Sequence, residues 1–469
     1  MATRIFKTKN LVQRGVLFFG PVLALLITIF LRVNGWDTNA QVVGFVTVLC
    51  AVWWIFEPIP IPITSLIPIA IFPMTGVLSS KEIGQAYGHY LVLLLMGGFV
   101  ISQAMAKSGT HQRIANAMIT LFGGRGRNIV FGFMAASGLL SMWISNTATT
   151  LMLLPIALAV VAKCKQDQLK VPLLLGIAYS ASVGGMGTPI GTPPNIAYIS
   201  IYSDYFKIET SFLDWMKMAV PLVFILLPMV GWWLTRNITA NETLRLPASG
   251  AWRSEEIRTL GVFLFIALAW VLRKEPLGGW QVWLNLPNAS DADVALLGVI
   301  VLFLVPSGTK PGEKLMDWRT AVNIPWGILL LFSGGLVIAS GFKTVGLSSA
   351  VGSQLSEWMD FHPFLLILFT CLAVTFLTEI MSNTASTLLL LPIIAETFQA
   401  SESLSNASIL MIPATISASC AFMLPVATAP NAIVYGSEKL SINLMAREGI
   451  MINCFAAVII ATYFYFYFY

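Results

Sequence analysis

Charge is scarce in this chain. Asp, Glu, Lys and Arg make up 10% of its 469 residues, against about 25% in soluble domains. With 57% hydrophobic residues and a mean hydropathy of +0.80, the composition excludes an ordinary soluble domain and points to a polytopic membrane protein. Histidine is rarer still. His89, His111 and His362 fall in no motif, so a histidine proton relay or a zinc site has nothing to stand on. The five cysteines, Cys50, Cys164, Cys371, Cys420 and Cys454, are scattered without CxxC spacing and read as small core residues. No P-loop, HExxH or Ser/His/Asp pattern occurs. Neither an ATP-driven pump nor an enzyme is indicated, and no cofactor is expected. The net charge of +5 is explained by basic residues in short cytoplasmic loops, so no nucleic-acid partner is expected.

Apolar stretches, by contrast, are abundant. A spanning helix needs about 20 apolar residues. Candidate spans lie at 15–33, 41–59, 61–77, 88–106, 172–200, 216–235, 259–272, 291–306, 322–342, 408–436 and 446–468. The basic start MATRIFKTKNLVQRG lacks a small-residue cleavage site and reads as the lead into a retained first helix. Two further stretches, 129–163 and 362–398, are too long for one helix, and each is broken near its middle by Ser-Asn-Thr. Their arms are too short to cross comfortably, which predicts two re-entrant helical hairpins. Such breaks are tolerated only where protein or water covers them. With the N-terminus inside and eleven alternating spans, 20 of the 27 Lys and Arg residues fall in cytoplasmic segments. Treating either hairpin as a span would flip every later loop and spoil that asymmetry. The C-terminal YFYFYFY then lies outside, as an interfacial aromatic belt.

The same phrases occur twice. SNTATTLMLLPI at 145–156 and SNTASTLLLLPI at 382–393 share ten of twelve positions, 237 residues apart. LLLMGGFVIS at 93–102 matches LLFSGGLVIAS at 330–340 at the same offset, and GTPIGTPPN at 187–195 echoes LPVATAPN at 424–431, offset by 236. Each half thus carries a span, a hairpin tipped with SNT and a span interrupted by a Pro-Asn loop. The first hairpin opens to the cytoplasm and the second to the outside, so the halves are inverted. Inverted repeats with interrupted helices in matching places point to the binding site of a secondary transporter.

Ser145, Asn146 and Thr147, like Ser382, Asn383 and Thr384, are good helix caps. At a half-helix N-terminus they also offer free N–H groups and a positive dipole end to an anion. Hydroxyl, amide and freed carbonyl oxygens suit a small hard cation such as Na⁺. The loops Gly191-Thr192-Pro193-Pro194-Asn195 and Ala427-Thr428-Ala429-Pro430-Asn431 supply the opposite walls. There Pro frees upstream carbonyls, and Gly or Ala lets backbone approach closely. No Lys or Arg lies near these motifs, so the charge of a bound anion would be offset by cations travelling with it. Two acids stand within apolar sequence. Glu379 has Met142 as its counterpart in the first half and reads as structural or interfacial, and Glu57, before a proline at a helix end, reads as interfacial.

The paired SNT triplets, the GTPPN loop and the stretch SASCAFMLPVATAPNAIV closely resemble the divalent-anion/sodium symporter family, with the bacterial INDY-type dicarboxylate transporters nearest. The likeness runs from about residue 40 to the end. It implies an all-α homodimer in the inner membrane, bathed by membrane lipid, with a scaffold and a mobile elevator domain in each protomer. Scaffold helices would lie in 1–87 and 259–342, and repeat cores in 88–240 and 343–469. The resemblance further implies one Na⁺ held by Ser141, Ser145, Asn146 and Gly191, and a second by Thr378, Ser382, Asn383 and Ala427. Substrate carboxylates would meet Asn146, Thr147, Ser382, Asn383, Thr384 and Thr428. One departure is Ala429, where close relatives often carry proline; it leaves the second site with a less rigid backbone. The expected activity is Na⁺-coupled import of C4 dicarboxylates such as succinate, malate and fumarate. A Na⁺-independent exchanger, a sulfate or citrate carrier and an anion channel remain as alternatives.

Overall fold

The computed structural model describes residues 2–123, 126–163, 167–239, 250–355, 361–400 and 406–469. Cys164 and the basic residues Arg125, Lys165 and Arg245, which entered the charge count, lie outside them. The described chain is helical throughout, as the all-α reading requires. Among the described residues, six helices are long and apolar enough to cross a membrane: Gln13–Val33, Thr38–Phe56, Ser80–Ser108, Phe212–Thr235, Trp326–Thr344 and Ile442–Phe468. Each coincides with an expected span. The other five expected spans appear as shorter or divided helices. Asp291–Leu304, for instance, has 14 residues, and at 1.5 Å per residue it covers only about two thirds of a bilayer core.

The first helix is the most exposed of the six, with Phe18, Phe19, Val22, Leu25 and Leu26 open on its surface. An apolar exterior of this kind suits lipid rather than water. Its inner side packs on Thr38–Phe56, which in turn meets Leu66–Thr75 and Trp326–Thr344. The opposite extreme is Lys170–Gly185, where every residue from Pro172 to Gly185 is buried. A helix that is apolar all round belongs in the interior.

The two glycine pairs mark tight helix crossings. A methyl group added at Gly97 would lie 2.7 Å from Ala295 Cβ, and one at Gly334 would lie 2.5 Å from the Ser65 carbonyl. On the adjacent side, Gly98 faces Ile190 at 3.3 Å and Gly335 faces Leu388 at 2.6 Å. Small residues let helix backbones approach where lipid provides no hydrophobic drive between helices.

Both broken stretches are hairpins. Gly126–Ser141 and Asn146–Lys163 are the arms of the first, and Pro363–Thr378 and Asn383–Ala400 those of the second. The interrupted helices are Lys170–Gly185 with Pro193–Phe206, and Ser408–Ser417 with Ala429–Tyr435. Their packing is crossed. The second arm of the first hairpin leans on Ala429–Tyr435, and the second arm of the second hairpin leans on Pro193–Phe206. This exchange brings both tips and both loops to one place.

Some helices fall outside the spans expected from the sequence. Ser80–Tyr87, Thr110–Phe122 and Leu347–Leu355 are helices with mixed polar and apolar residues. The aromatic tail, expected as an interfacial belt, takes part in the helical packing. It continues the last helix, Phe464 is fully buried, and the Tyr463 hydroxyl donates to the Met218 carbonyl at 3.0 Å.

Candidate functional site

Each SNT triplet starts the second arm of its hairpin. Ser145 accepts from the Ala148 N–H at 3.3 Å, so the capping role expected of it is present. Asn146 and Asn383 begin the arms, and Thr150 and Thr387 donate back to their carbonyls, both at 2.8 Å. Behind each tip the last hydroxyl of the first arm meets the Asn side chain. Ser141 Oγ donates to Asn146 Oδ1 at 2.5 Å, and Thr378 Oγ1 donates to Asn383 Oδ1 at 2.7 Å.

The Pro-Asn loops repeat one another in the same detail. Asn195 Nδ2 donates to the carbonyls of Gly185 at 3.0 Å and Thr188 at 2.7 Å, ten and seven residues upstream. Asn431 Nδ2 donates to Ala421 at 2.9 Å and Leu424 at 3.0 Å, at the same two separations. Both Asn residues are fully buried, and each is the brace that folds its loop. Proline at the first turn of the following helix lacks an N–H that would in any case be unpaired there.

Tips and loops share one cavity of about 350 Å³. Ser145, Asn146, Thr147 and Gly191 line it from the first half, and Ser382, Asn383, Thr384, Ala427 and Thr428 from the second. Ser141 and Thr378 are buried just behind, one hydrogen bond from their Asn. All the residues expected at the site are therefore at or directly behind it. They differ in depth: Thr147 is exposed, while Thr384 is buried. Thr428 caps the helix after its loop by accepting from the Asn431 N–H at 3.2 Å.

The first tip and its loop approach closely at Gly185. A methyl group on Gly185 would sit 2.6 Å from Asn146 Oδ1 and 3.2 Å from the Gly191 carbonyl, so these two oxygens face the same small space. Among the described residues no cluster of three His, Cys, Asp or Glu side chains could hold a metal. The donors gathered here are hydroxyl, amide and carbonyl oxygens, a set that suits a hard cation of low charge.

Two acidic residues behave differently from one another. Glu379 is buried; its carboxylate accepts from the Met423 and Leu424 N–H groups at 2.8 and 3.0 Å and from Asn453 Nδ2 at 2.7 Å. Of the structural or interfacial roles expected of it, these bonds fit the structural one. Glu57, expected at an interface, lines the cavity together with Ile55, Phe56 and Ile61. Sequence spacing carries no signal for this, because Glu57 lies outside both copies of the repeat.

An all-helical membrane chain with paired half-helix termini around one polar cavity has the architecture of a secondary transporter. The comparisons agree on that class. The family model described as citrate transporter matches residues 51–408. A sodium-dependent dicarboxylate transporter, SdcS, of Staphylococcus saprophyticus is 36% identical over 98% of this chain and 92% of its own length. That of Staphylococcus aureus strain USA300 is 35% identical over 95% and 89%. The chain belongs to the divalent-anion/sodium symporter family, to which these transporters also belong. In fold it is also similar to the crystal structure of the Alcanivorax borkumensis YdaH transporter, described as having an unusual topology. The TM-score is 0.58 over 84% of this chain and 87% of that one, at 13% identity.

Proposed function

We propose that this protein is a sodium-coupled symporter of C4 dicarboxylates such as succinate, malate and fumarate. The observation that carries the reading is the single cavity formed by both SNT tips and both Pro-Asn loops. There Ser145, Asn146 and Gly191, with Ser141 behind them, hold one Na⁺, and Ser382, Asn383 and Ala427, with Thr378 behind them, hold the other. The dicarboxylate bridges the tips, with one carboxylate on Asn146 and Thr147 and the other on Ser382, Asn383, Thr384 and Thr428. Two cations beside the dianion offset its charge, which fits a cavity whose lining among the described residues includes no Lys or Arg. Each Asn contributes its oxygen to a cation and its N–H₂ to the substrate, which couples the two ligands through one side chain.

The protein spans the inner membrane with eleven helices and two re-entrant hairpins in an inverted repeat, N-terminus inside and C-terminus outside. It works as a homodimer. Scaffold helices in 1–87 and 259–342 hold the repeat cores of 88–240 and 343–469, which move as an elevator. The charge asymmetry of the loops supports the orientation, and the family resemblance carries the dimer and the elevator.

Uptake of labelled succinate into proteoliposomes with and without an inward Na⁺ gradient is the test. Uptake that ignores Na⁺ would leave a Na⁺-independent exchanger. Citrate is the competing substrate to include, given the description of the matching family model. Asn146→Ala and Asn383→Ala are each expected to abolish coupled uptake while the protein remains folded. Near-normal uptake in either variant would overturn the site.

A further inference from the structure

Charged side chains from two parts of the molecule meet on the face that the proposed orientation places outside. Glu209 and Lys217 belong to the repeat core 88–240, just before and just inside Phe212–Thr235. Arg273, Lys274, Glu275 and Asp291 belong to the scaffold segment 259–342, between Ser254–Val271 and the start of Asp291–Leu304. Arg273 is the hub and is 2% exposed. Its Nε donates to Asp291 Oδ1 at 2.6 Å, and its Nη2 donates to Asp291 Oδ2 at 3.2 Å and to Glu209 Oε1 at 2.6 Å. Lys274 Nζ donates to the other Glu209 oxygen at 2.8 Å, and the Phe212 N–H donates to Asp291 Oδ2 at 3.2 Å. Lys217 pairs with Glu275 at 2.5 Å. Beside these charges the Phe212 ring stacks on Trp270, centroids 4.8 Å apart. Trp143, two residues before the first triplet, joins the same seam by stacking on Phe212 and standing edge-on to Phe263.

The bonds are of two kinds. Those between Arg273 and Asp291 stay within 259–342, whereas those made by Glu209, Phe212 and Lys217 cross to 88–240. A buried guanidinium stripped of its counter-charge is strongly destabilising. Asp291 prevents this, because it neutralises Arg273 whether or not Glu209 is present. The crossing bonds can therefore break and re-form. The central cavity lies toward the other face. Phe56 and Ile61, at helix ends that the proposed orientation places on the cytoplasmic side, line it, and Glu57 and Thr147 in its wall are exposed.

We infer that the Arg273 cluster is a latch that holds the core with its cavity toward the cytoplasm. This rests on the proposed elevator. A core that slides along the scaffold to turn its cavity outward gives up the bonds that cross between them. Contacts present in one state alone shift the equilibrium toward that state. Arg273 does not line the cavity; it is a positioning residue that acts through Glu209.

The test reads which face the cavity presents. Val426 lines the cavity and is 71% exposed, so Val426→Cys in the full-length protein serves as the reporter. A membrane-impermeant maleimide is applied to intact cells and, separately, to inverted membrane vesicles. Labelling is counted above that of the parent protein, and succinate uptake is followed in the same cells. Glu209→Gln breaks the crossing pair and leaves Arg273 with Asp291. It should raise the labelling rate from outside about fivefold, the factor set by a partly exposed ion pair, while labelling from inside falls. Lys274→Gln should act in the same direction by less, and it carries the same test if Glu209→Gln does not fold. Glu209→Asp should stay nearer to wild type. Unchanged labelling in both Gln variants would overturn the latch. So would a rise on both faces, which would make Glu209 a general packing element. A Val426→Cys protein that takes up succinate yet is never labelled from outside, in any variant, would instead overturn the elevator reading itself.

Discussion

In the first half, the stretch 186–192 is held to the hairpin by Thr188, whose hydroxyl donates to the Met142 carbonyl. In the second, the stretch 418–428 is held by Glu379, whose carboxylate gathers two backbone N–H groups and an Asn453 amide. Position 142 in one half is position 379 in the other, so the same corner is closed by a neutral bond in one copy and by a buried carboxylate in the other. The loops differ to match. The first is short and glycine-rich, and a side chain on Gly184 or Gly191 would run into the backbone of Gly138 or Gly185. The second is four residues longer between its flanking helices and tolerates Cys420 and Ala427 at the corresponding places. A ligand set can thus be duplicated while its supports diverge. What the ligands require is position, and close backbone packing or a charged brace can each provide it.

Breaking the compact half should have the largest effect. Gly184→Ala puts a methyl group into the Gly138 carbonyl, and since backbone cannot swing aside as a side chain does, the cost should reach about 3 kcal/mol, the upper end of overpacking. Lost uptake and a strongly lowered melting temperature in detergent would show it. The matched change in the other half, Cys420→Ala, removes only a small buried group and should leave both nearly unchanged. If the two variants behave alike, the contrast between the halves is wrong.

A smaller and more selective effect is expected from Glu379→Gln. One amide oxygen cannot serve three donors, and each buried donor left alone costs about 1–3 kcal/mol. The second loop should loosen. Half-saturating Na⁺ should rise several-fold and the steepness of the Na⁺ curve should fall, with maximal uptake reduced less. A uniform loss of uptake with an unchanged Na⁺ curve would make Glu379 a general stability element instead.

The smallest effect separates the two threonines. Thr384 is 6% exposed, whereas Thr147 is exposed. Loss of a buried hydrogen bond of about 1 kcal/mol corresponds to roughly a fivefold change in affinity. Thr384→Ala should therefore raise the apparent KM for succinate by about that factor, and Thr147→Ala by less. The reverse order would mean that the exposed tip makes the stronger contact.

Much of this was legible beforehand. The hairpin breaks at 145 and 382 were readable because a Ser-Asn-Thr triplet that can cap a helix interrupts an apolar run too long for one helix. The Pro-Asn loops were readable because proline cannot continue a helix and glycine or alanine permits close approach. The mixed helices Ser80–Tyr87, Thr110–Phe122 and Leu347–Leu355 were not, since they carry no continuous apolar run and their helicity depends on what they pack against. Thr110–Phe122, for example, lies against the first hairpin arm, where the Ile119 carbonyl passes 3.2 Å from the position of a Gly132 side chain.

The sequence by itself determined the membrane class, the duplication, the breaks and the residues at each tip, because composition, periodicity and capping are properties of neighbouring residues. Tertiary structure alone decided that each hairpin leans on the other half's interrupted helix, that Glu379 braces the second loop, and that Glu57 from outside the repeat stands in the shared cavity. Those facts depend on contacts between segments far apart in the chain, which are fixed only when the helices pack against one another.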